Sequence, residues 1–379
     1  MGLSNLDRIR RQRVRLALVL VSWTVLAVGS ARGEPVQRLS FRDRLYDATL
    51  HQSTLWVVGY PGILLRSEDG GASFSRVSVP THEALFAIDF NEQGLGAIVG
   101  RSGTLLVSLD HGASWTLKLA QQAQAPDVPS EGTSAPPNAV SQQPAVHLFG
   151  VDVLENGTLV AVGDFGTVLR SQDRGESWQA CEVATELTSG AVPDARRRDA
   201  EGELSGIGGA SAETENEGEA ARLSSVSFGD DTHGFIVGEF GWILASSDGG
   251  RSWRRQASGS DKLLFSVRAR SPVTAIAVGS EGTVLETRDA GASWQARPHG
   301  ESRHLFDVAC QDARCAATGQ EGLVMLWEGD GPPISLASEA LAPLSAVAFA
   351  GRALVVAGKR GYVLRAAPGA HQLTRVLGE

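Results

Sequence analysis

Apolar residues in this chain gather in short runs, each closed off by Gly, Asp, Ser or a charged residue. LFAIDF (85–90), LFGVDV (148–153) and LFSVRA (264–269) each open a unit that continues in a fixed order. A run of small residues ending in Val-Gly follows, as in AIVG (97–100) and AVG (161–163). Two residues then precede a second Gly, and a third apolar run comes next, such as TLLVS (104–108) or TVLRS (167–171). Runs this short, bounded by turn formers, predict β-strands, because a helix needs its 3.6-residue spacing sustained over about ten residues or more.

The Gly-x-x-Gly pair occurs seven times, beginning at Gly59, Gly100, Gly163, Gly238, Gly279, Gly319 and Gly358. The intervals are 41, 63, 75, 41, 40 and 39 residues. A unit of four short strands repeating about every 40 residues is the pattern of a propeller blade. The prediction is an all-β protein, a seven-bladed β-propeller of four-stranded blades over residues 36–379. The two long intervals hold insertions at 121–145 and 184–221. The first is rich in Gln, Ala, Pro and Ser. The second is rich in Glu, Ala and Gly, with ARRRD at 195–199. Neither composition supplies a core of its own, so both are expected to be disordered or loosely packed. Two segments compete to close the ring, VQRLSF (36–41) and HQLTRVL (371–377), and a closure using both ends is expected.

A second motif follows the third strand: SEDGGASF (67–74), SLDHGASW (108–115), SQDRGESW (171–178), SSDGGRSW (246–253) and TRDAGASW (287–294). Asp69, Asp110, Asp173, Asp248 and Asp289 are suited to accept backbone N–H groups and staple a turn. The Gly two residues on is suited to a left-handed conformation, and the closing aromatic to the seam between blades. Five copies around a ring do not converge on one substrate, so the box is read as structural. Blades six and seven lack it, carrying WEGDG (327–331) and APGA (367–370) instead.

The first residues change the picture of where the protein works. Arg8, Arg10, Arg11, Arg13 and Arg15 precede the apolar stretch LALVLVSWTVLAV (16–28), followed by Gly29-Ser30-Ala31. This is the pattern of an export signal over 1–31, or of an uncleaved anchor, and it places the propeller in the periplasm. The net charge of −9 becomes more negative once those arginines are removed, which argues against nucleic acid as a partner. Cys310 and Cys315 flank a four-residue connection between two strand-like runs. They stand within reach of a disulfide in an exported protein, or are two reduced buried thiols. Cys181 is read as a buried small hydrophobe.

Candidate chemistry is thin. The eight His residues show no metal-ligand spacing, no phosphate loop or nucleophile elbow is present, and no cofactor is implied. Asp47, Asp89, Asp152 and Asp307 lie on predicted inner strands. They either line a wet central channel or form paired carboxylates of a glycosidase.

The Asp box resembles that of sialidases and other bacterial neuraminidase repeat proteins. That family holds its substrate with three arginines and attacks with a Tyr. Here the inner-strand motifs contain one basic residue, Arg268, and the whole chain has three Tyr. The run of LFAIDF, IVGRSGTLLVSLDHGASW and their equivalents over 36–379 resembles the photosystem II stability and assembly factor family. The resemblance implies an exported, non-enzymatic propeller that holds a membrane protein or its assembly intermediate through an arginine-rich patch. Similar proteins occur in bacteria without a photosystem.

In a four-stranded blade, the turn between the second and third strands shares a face with the connection to the next blade. The Gly-x-x-Gly turns therefore form a ring on one face. Their tips include Tyr60, Arg101, Asp164, Phe165, Glu239, Phe240, Glu281, Glu321, Lys359 and Arg360, and both insertions are expected to emerge there. Exposed aromatics among charges mark this face as the candidate partner-binding surface. The alternative is a carbohydrate-binding protein or glycoside hydrolase of the Asp-box propeller type.

Overall fold

A computed structural model describes residues 34–119, 146–187 and 221–378. The predicted export segment, all of the first insertion and most of the second lie outside the described residues. Seven antiparallel sheets, each with four strands in sequence order, stand around a ring. The inner strands are Arg44–His51, Leu85–Phe90, Leu148–Val153, Leu223–Phe228, Leu264–Ser271, Leu305–Gln311 and Leu344–Ala350. Each packs against the next, and the seventh packs against the first. The seven-bladed propeller is therefore as predicted.

Alternation of apolar and polar residues on the inner strands fixes which side chains enter the seams. The fully buried second strands, such as Gly96–Gly100 and Gly234–Gly238, read as continuous uncharged runs of Gly and apolar residues because both faces touch another blade. Each seam holds its own apolar cluster. Leu105, Val107, Leu148, Val151 and Trp178, for example, bind blade two to blade three.

The ring closes by packing rather than by strand exchange. Thr374–Leu377 is the outer strand of blade seven, taken from its own repeat. Residues 36–41 do not join that sheet. Glu34–Pro35 instead pairs with Ser75–Arg76 on the outer edge of blade one. Leu39, Leu45, Val363 and Leu377 share one buried cluster across the closing seam. The Gly361 N–H donates to the Asp43 carbonyl there at 3.0 Å. Blade four gains a fifth strand in a similar way. Glu182–Ala184, leaving blade three, runs parallel beside Ser252–Gln256. Ala184, the expected first residue of the second insertion, is thus the last residue of a strand.

The five boxes have one geometry. Ser67 Oγ donates to Asp69 Oδ1 at 2.8 Å and accepts the Gly71 N–H at 2.9 Å. The Ser73 N–H donates to Asp69 Oδ1 at 2.9 Å. Asp110, Asp173, Asp248 and Asp289 repeat these bonds. Bonds from Ser177 hold the Asp173 carboxyl down to about 2. The structure adds one feature. The residue after the Asp is left-handed as well, including His111, Arg174 and Ala290. The closing rings Phe74, Trp115, Trp178, Trp253 and Trp294 are all buried in the seams.

Cys310 and Cys315 face each other across the first hairpin of blade six and form a disulfide. Cys181 is half-buried, and burial pushes its thiol up to about 11.

Candidate functional site

The two glycines of each Gly-x-x-Gly turn serve different ends. The first is extended, not left-handed, and is required by close approach. A Cβ at Gly100 would stand 2.0 Å from the Ala84 carbonyl oxygen. The left-handed conformation falls on the second tip residue and on the second Gly. Ser102, Phe165, Phe240, Glu281, Glu321 and Arg360 all have φ between 54 and 63°. Left-handed backbone disfavours a bulky side chain by roughly 1–2 kcal/mol. Phe165 and Phe240 are the two large apolar side chains among these, and they are 65% and 56% exposed.

Hydrogen bonds show what else shares this face. The first tip residue donates its N–H to the residue just before the inner strand of its own blade: Arg101 to Ala84, Asp164 to His147, Glu239 to Arg222 and Lys359 to Pro343. The Gly166 N–H donates to the Ala221 carbonyl. The turn of blade three therefore sits between His147, just past the first insertion, and Ala221, the last residue of the second.

The ten predicted tip residues divide into two groups. Several support the turns themselves. Asp164 Oδ2 accepts the His147 N–H at 3.1 Å, Glu239 pairs with Arg222 at 3.4 Å, and Glu281 pairs with Lys262 at 2.9 Å. Arg101 stands 3.9 Å from Glu83, and Glu321 accepts a bond from Gln320. Tyr60, Phe165, Phe240, Lys359 and Arg360 instead present solvent-facing groups on the same face. Phe41 and Leu341, on connections that enter blades one and seven, are also exposed there and were not singled out from the sequence.

A central cavity of about 310 Å³ opens along the ring axis. Its carboxylates have a structural use that the sequence reading missed. The Ile88 N–H of blade two donates to Asp47 of blade one at 2.8 Å. The Val153 N–H donates to Asp89 at 2.8 Å and the Phe228 N–H to Asp152 at 3.0 Å, each one blade on. Ser225 and Ser227 accept from Val267 and Ala269 of blade five. Ser266 donates to Asp307 at 2.9 Å, and Asp307 accepts the Val347 N–H at 2.8 Å. Ser345 donates to the Leu45 carbonyl at 3.1 Å and completes the circle. Every seam is stitched by an inner-strand side chain to its neighbour's strand.

Burial in this channel pushes the carboxyls of Asp47, Asp89, Asp152 and Asp307 upward. The Asp307 charge adds to the rise at Asp47, and the Asp152 charge to that at Asp89. Arg268 draws Asp89, Asp152 and Asp307 back down. Among the described residues, no group of three or more His, Cys, Asp or Glu side chains stands as metal ligands would.

No protein-family model matches the chain, and no curated protein matches it. Solved structures do. YCF48 from Cyanidioschyzon merolae is similar at a TM-score of 0.59 and 18% identity, over 89% of this chain and 99% of that one. A structure described as YCF48 bound to D1 peptide is similar at 0.58 and 15%, over 88% and 95%. An ancestral GH74 enzyme is similar at 0.58 and 12%, over 92% of this chain and 47% of the enzyme chain. At these identities the likeness shows a shared propeller fold.

Proposed function

We propose that this chain is an exported, non-enzymatic scaffold of the photosystem II assembly factor type. On this reading it docks a membrane protein or its assembly intermediate on the Gly-x-x-Gly face. The observation that carries the reading is the pair Phe165 and Phe240, two large rings held out in solvent on left-handed turns in adjacent blades. Other blades place Ser, Glu or Arg at this left-handed position, and a large apolar ring left mostly in solvent there is expected where a ligand later covers it. YCF48, similar in fold, has been seen with a D1 peptide bound, which supports a peptide segment of a membrane protein as the class of client. The Arg-rich and apolar stretch at 8–28 supports export or anchoring beside a membrane.

A glycoside hydrolase is the second reading. It is favoured by the raised carboxyls of Asp89 and Asp152 in one cavity and by the likeness to a GH74 enzyme. Against it, both carboxylates already accept a neighbouring strand's N–H, a role that any substrate would compete with.

The test is capture from native membranes. The full chain, tagged and expressed in its own host, is recovered after mild solubilisation, and co-purifying membrane proteins are quantified. Phe165→Ala with Phe240→Ala is expected to reduce the enriched partner by about tenfold or more, since interface aromatics contribute about 2 kcal/mol or more each. The melting temperature stays nearly unchanged because both rings lie outside the core. Equal recovery by both proteins would count against the docking face.

A further inference from the structure

The mouth of the central channel on the Gly-x-x-Gly face is not a uniform collar. At or next to the start of each inner strand a Leu pairs with the first Gly of its turn, and the register slips directly after it. The residue that follows each Leu is therefore at a bulge and turns toward the mouth. Those residues are Tyr46, Phe86, Phe149, Ser224, Phe265, Phe306 and Ser345, and every one of them lines the cavity. Tyr46 meets Phe86 at 5.2 Å, and Phe86 meets Phe149 at 5.4 Å. On the other side Phe265 meets Phe306 at 5.3 Å. Serine interrupts the collar in blades four and seven, which stand nearly opposite in a ring of seven. The mouth is thus a slot between two aromatic walls, open at Ser224 and at Ser345.

The two ends of the slot differ. Beyond Ser224 lies the turn of blade four with Phe240, where Glu239 is already paired with Arg222. Beyond Ser345 lies the turn of blade seven with exposed Lys359 and Arg360, bridged through the Lys359 backbone to the exposed Arg44 of blade one. The floor is acidic, with Asp47, Asp89, Asp152 and Asp307 against Arg268 alone.

We infer that the slot seats one extended peptide segment of the docked partner, with uncharged apolar side chains between the aromatic walls and an acidic end at Lys359 and Arg360. This rests on the scaffold reading above and names the chemistry of the client. An extended strand presents side chains to both sides, so its apolar groups can stack on the two ring walls. A carboxylate in the middle of the segment would lose water above a floor whose one cation, Arg268, already faces the carboxyls of Asp89, Asp152 and Asp307. A carboxylate at one end is drawn to the basic corner, which fixes the direction of the chain.

The full chain in mild detergent is panned against a displayed library of random peptides of about ten residues, enough to cross the mouth when extended. Enriched sequences are expected to have an apolar, acid-free middle and Asp or Glu at one end. A synthetic peptide of the enriched sequence should bind Ser224→Phe/Ser345→Phe roughly tenfold more weakly or worse, because filling the gaps closes the slot. Phe already stands at this position in blades two, three, five and six. Ser345→Phe also gives up the bond to the Leu45 carbonyl, so Ser345→Ala, which loses that bond but leaves the gap open, is measured alongside and should keep the peptide affinity. Lys359→Glu/Arg360→Glu, on an exposed turn, should turn the charge preference of the enriched peptides from acidic to basic. No enrichment, enrichment without an acidic end, or equal binding by the gap-filled variant overturns the inference. The two readings separate in the membrane-capture experiment. If the gap-filled variant keeps its partner while Phe165→Ala/Phe240→Ala loses it, the slot is wrong and the docking face stands.

Discussion

Trp253→Ala is expected to lower the unfolding free energy by about 3–5 kcal/mol, the cost of emptying a large aromatic site in a close-packed core. Trp253 is fully buried, with Val160, Val162 and Val168 of blade three in the same cluster as Ile236 and Leu244 of blade four. Its edge meets the Phe228 ring at 5.6 Å, and its indole N–H donates to the Gly250 carbonyl at 3.1 Å. A loss of this size is a large share of the roughly 5–15 kcal/mol that holds a typical protein folded. Conservative replacements separate the two contributions. Trp253→Phe loses the indole bond and should cost about 1 kcal/mol more than Trp178→Phe, whose indole N–H has no partner among the described residues. Denaturant midpoints measured on all three variants check the order.

Asp307→Ala is the second large effect, expected at about 2–4 kcal/mol. The carboxylate accepts the Val347 N–H from blade seven, the Val308 N–H of its own strand, and the Ser266 hydroxyl from blade five. Removing it orphans two backbone donors at about 1–3 kcal/mol each, eased where the channel admits water. Asp307→Asn keeps an acceptor oxygen and sheds a buried charge, so it should cost under about 1 kcal/mol. A hydrolase that used this carboxylate would instead lose activity in both variants while Asp307→Asn stayed folded. Thermal and chemical denaturation, read beside a glycosidase assay, distinguish the two roles.

The repeat made the fold legible. Seven glycine pairs specify seven blades, because the first glycine of each answers a close approach of backbone that no side chain fits. The Asp boxes were legible for the same reason, since their Ser, Asp and Gly bond within one turn. What the sequence hid depends on contacts between blades. Asp47 and Asp307 sit at the third position of their inner-strand motif, while Asp89 and Asp152 sit at the fifth. Nothing in one repeat shows that both tiers reach a neighbour's N–H. The aromatic collar was hidden by the bulge after each Leu. Simple alternation assigns the Phe of Leu-Phe-x-Val to one side of a strand, whereas the register slip turns it to the channel mouth. The ring closure was ambiguous because 36–41 and 371–377 are equally strand-like. Their places were decided by packing on Leu45 and Val363 across the last seam.

The central claim is that the Gly-x-x-Gly face, and not the opposite face, meets a membrane protein. Its most direct test is photocrosslinking in living cells of the source organism. A photoreactive phenylalanine is placed at position 165 or 240, and in parallel at position 109 or 273. Leu109 lies in an Asp-box turn and Val273 in the first hairpin turn of blade five, both exposed on the opposite face. The account predicts a crosslink to one membrane protein from 165 and 240, and none from 109 and 273. The same adduct from 109 and 273, with 165 and 240 silent, would contradict it.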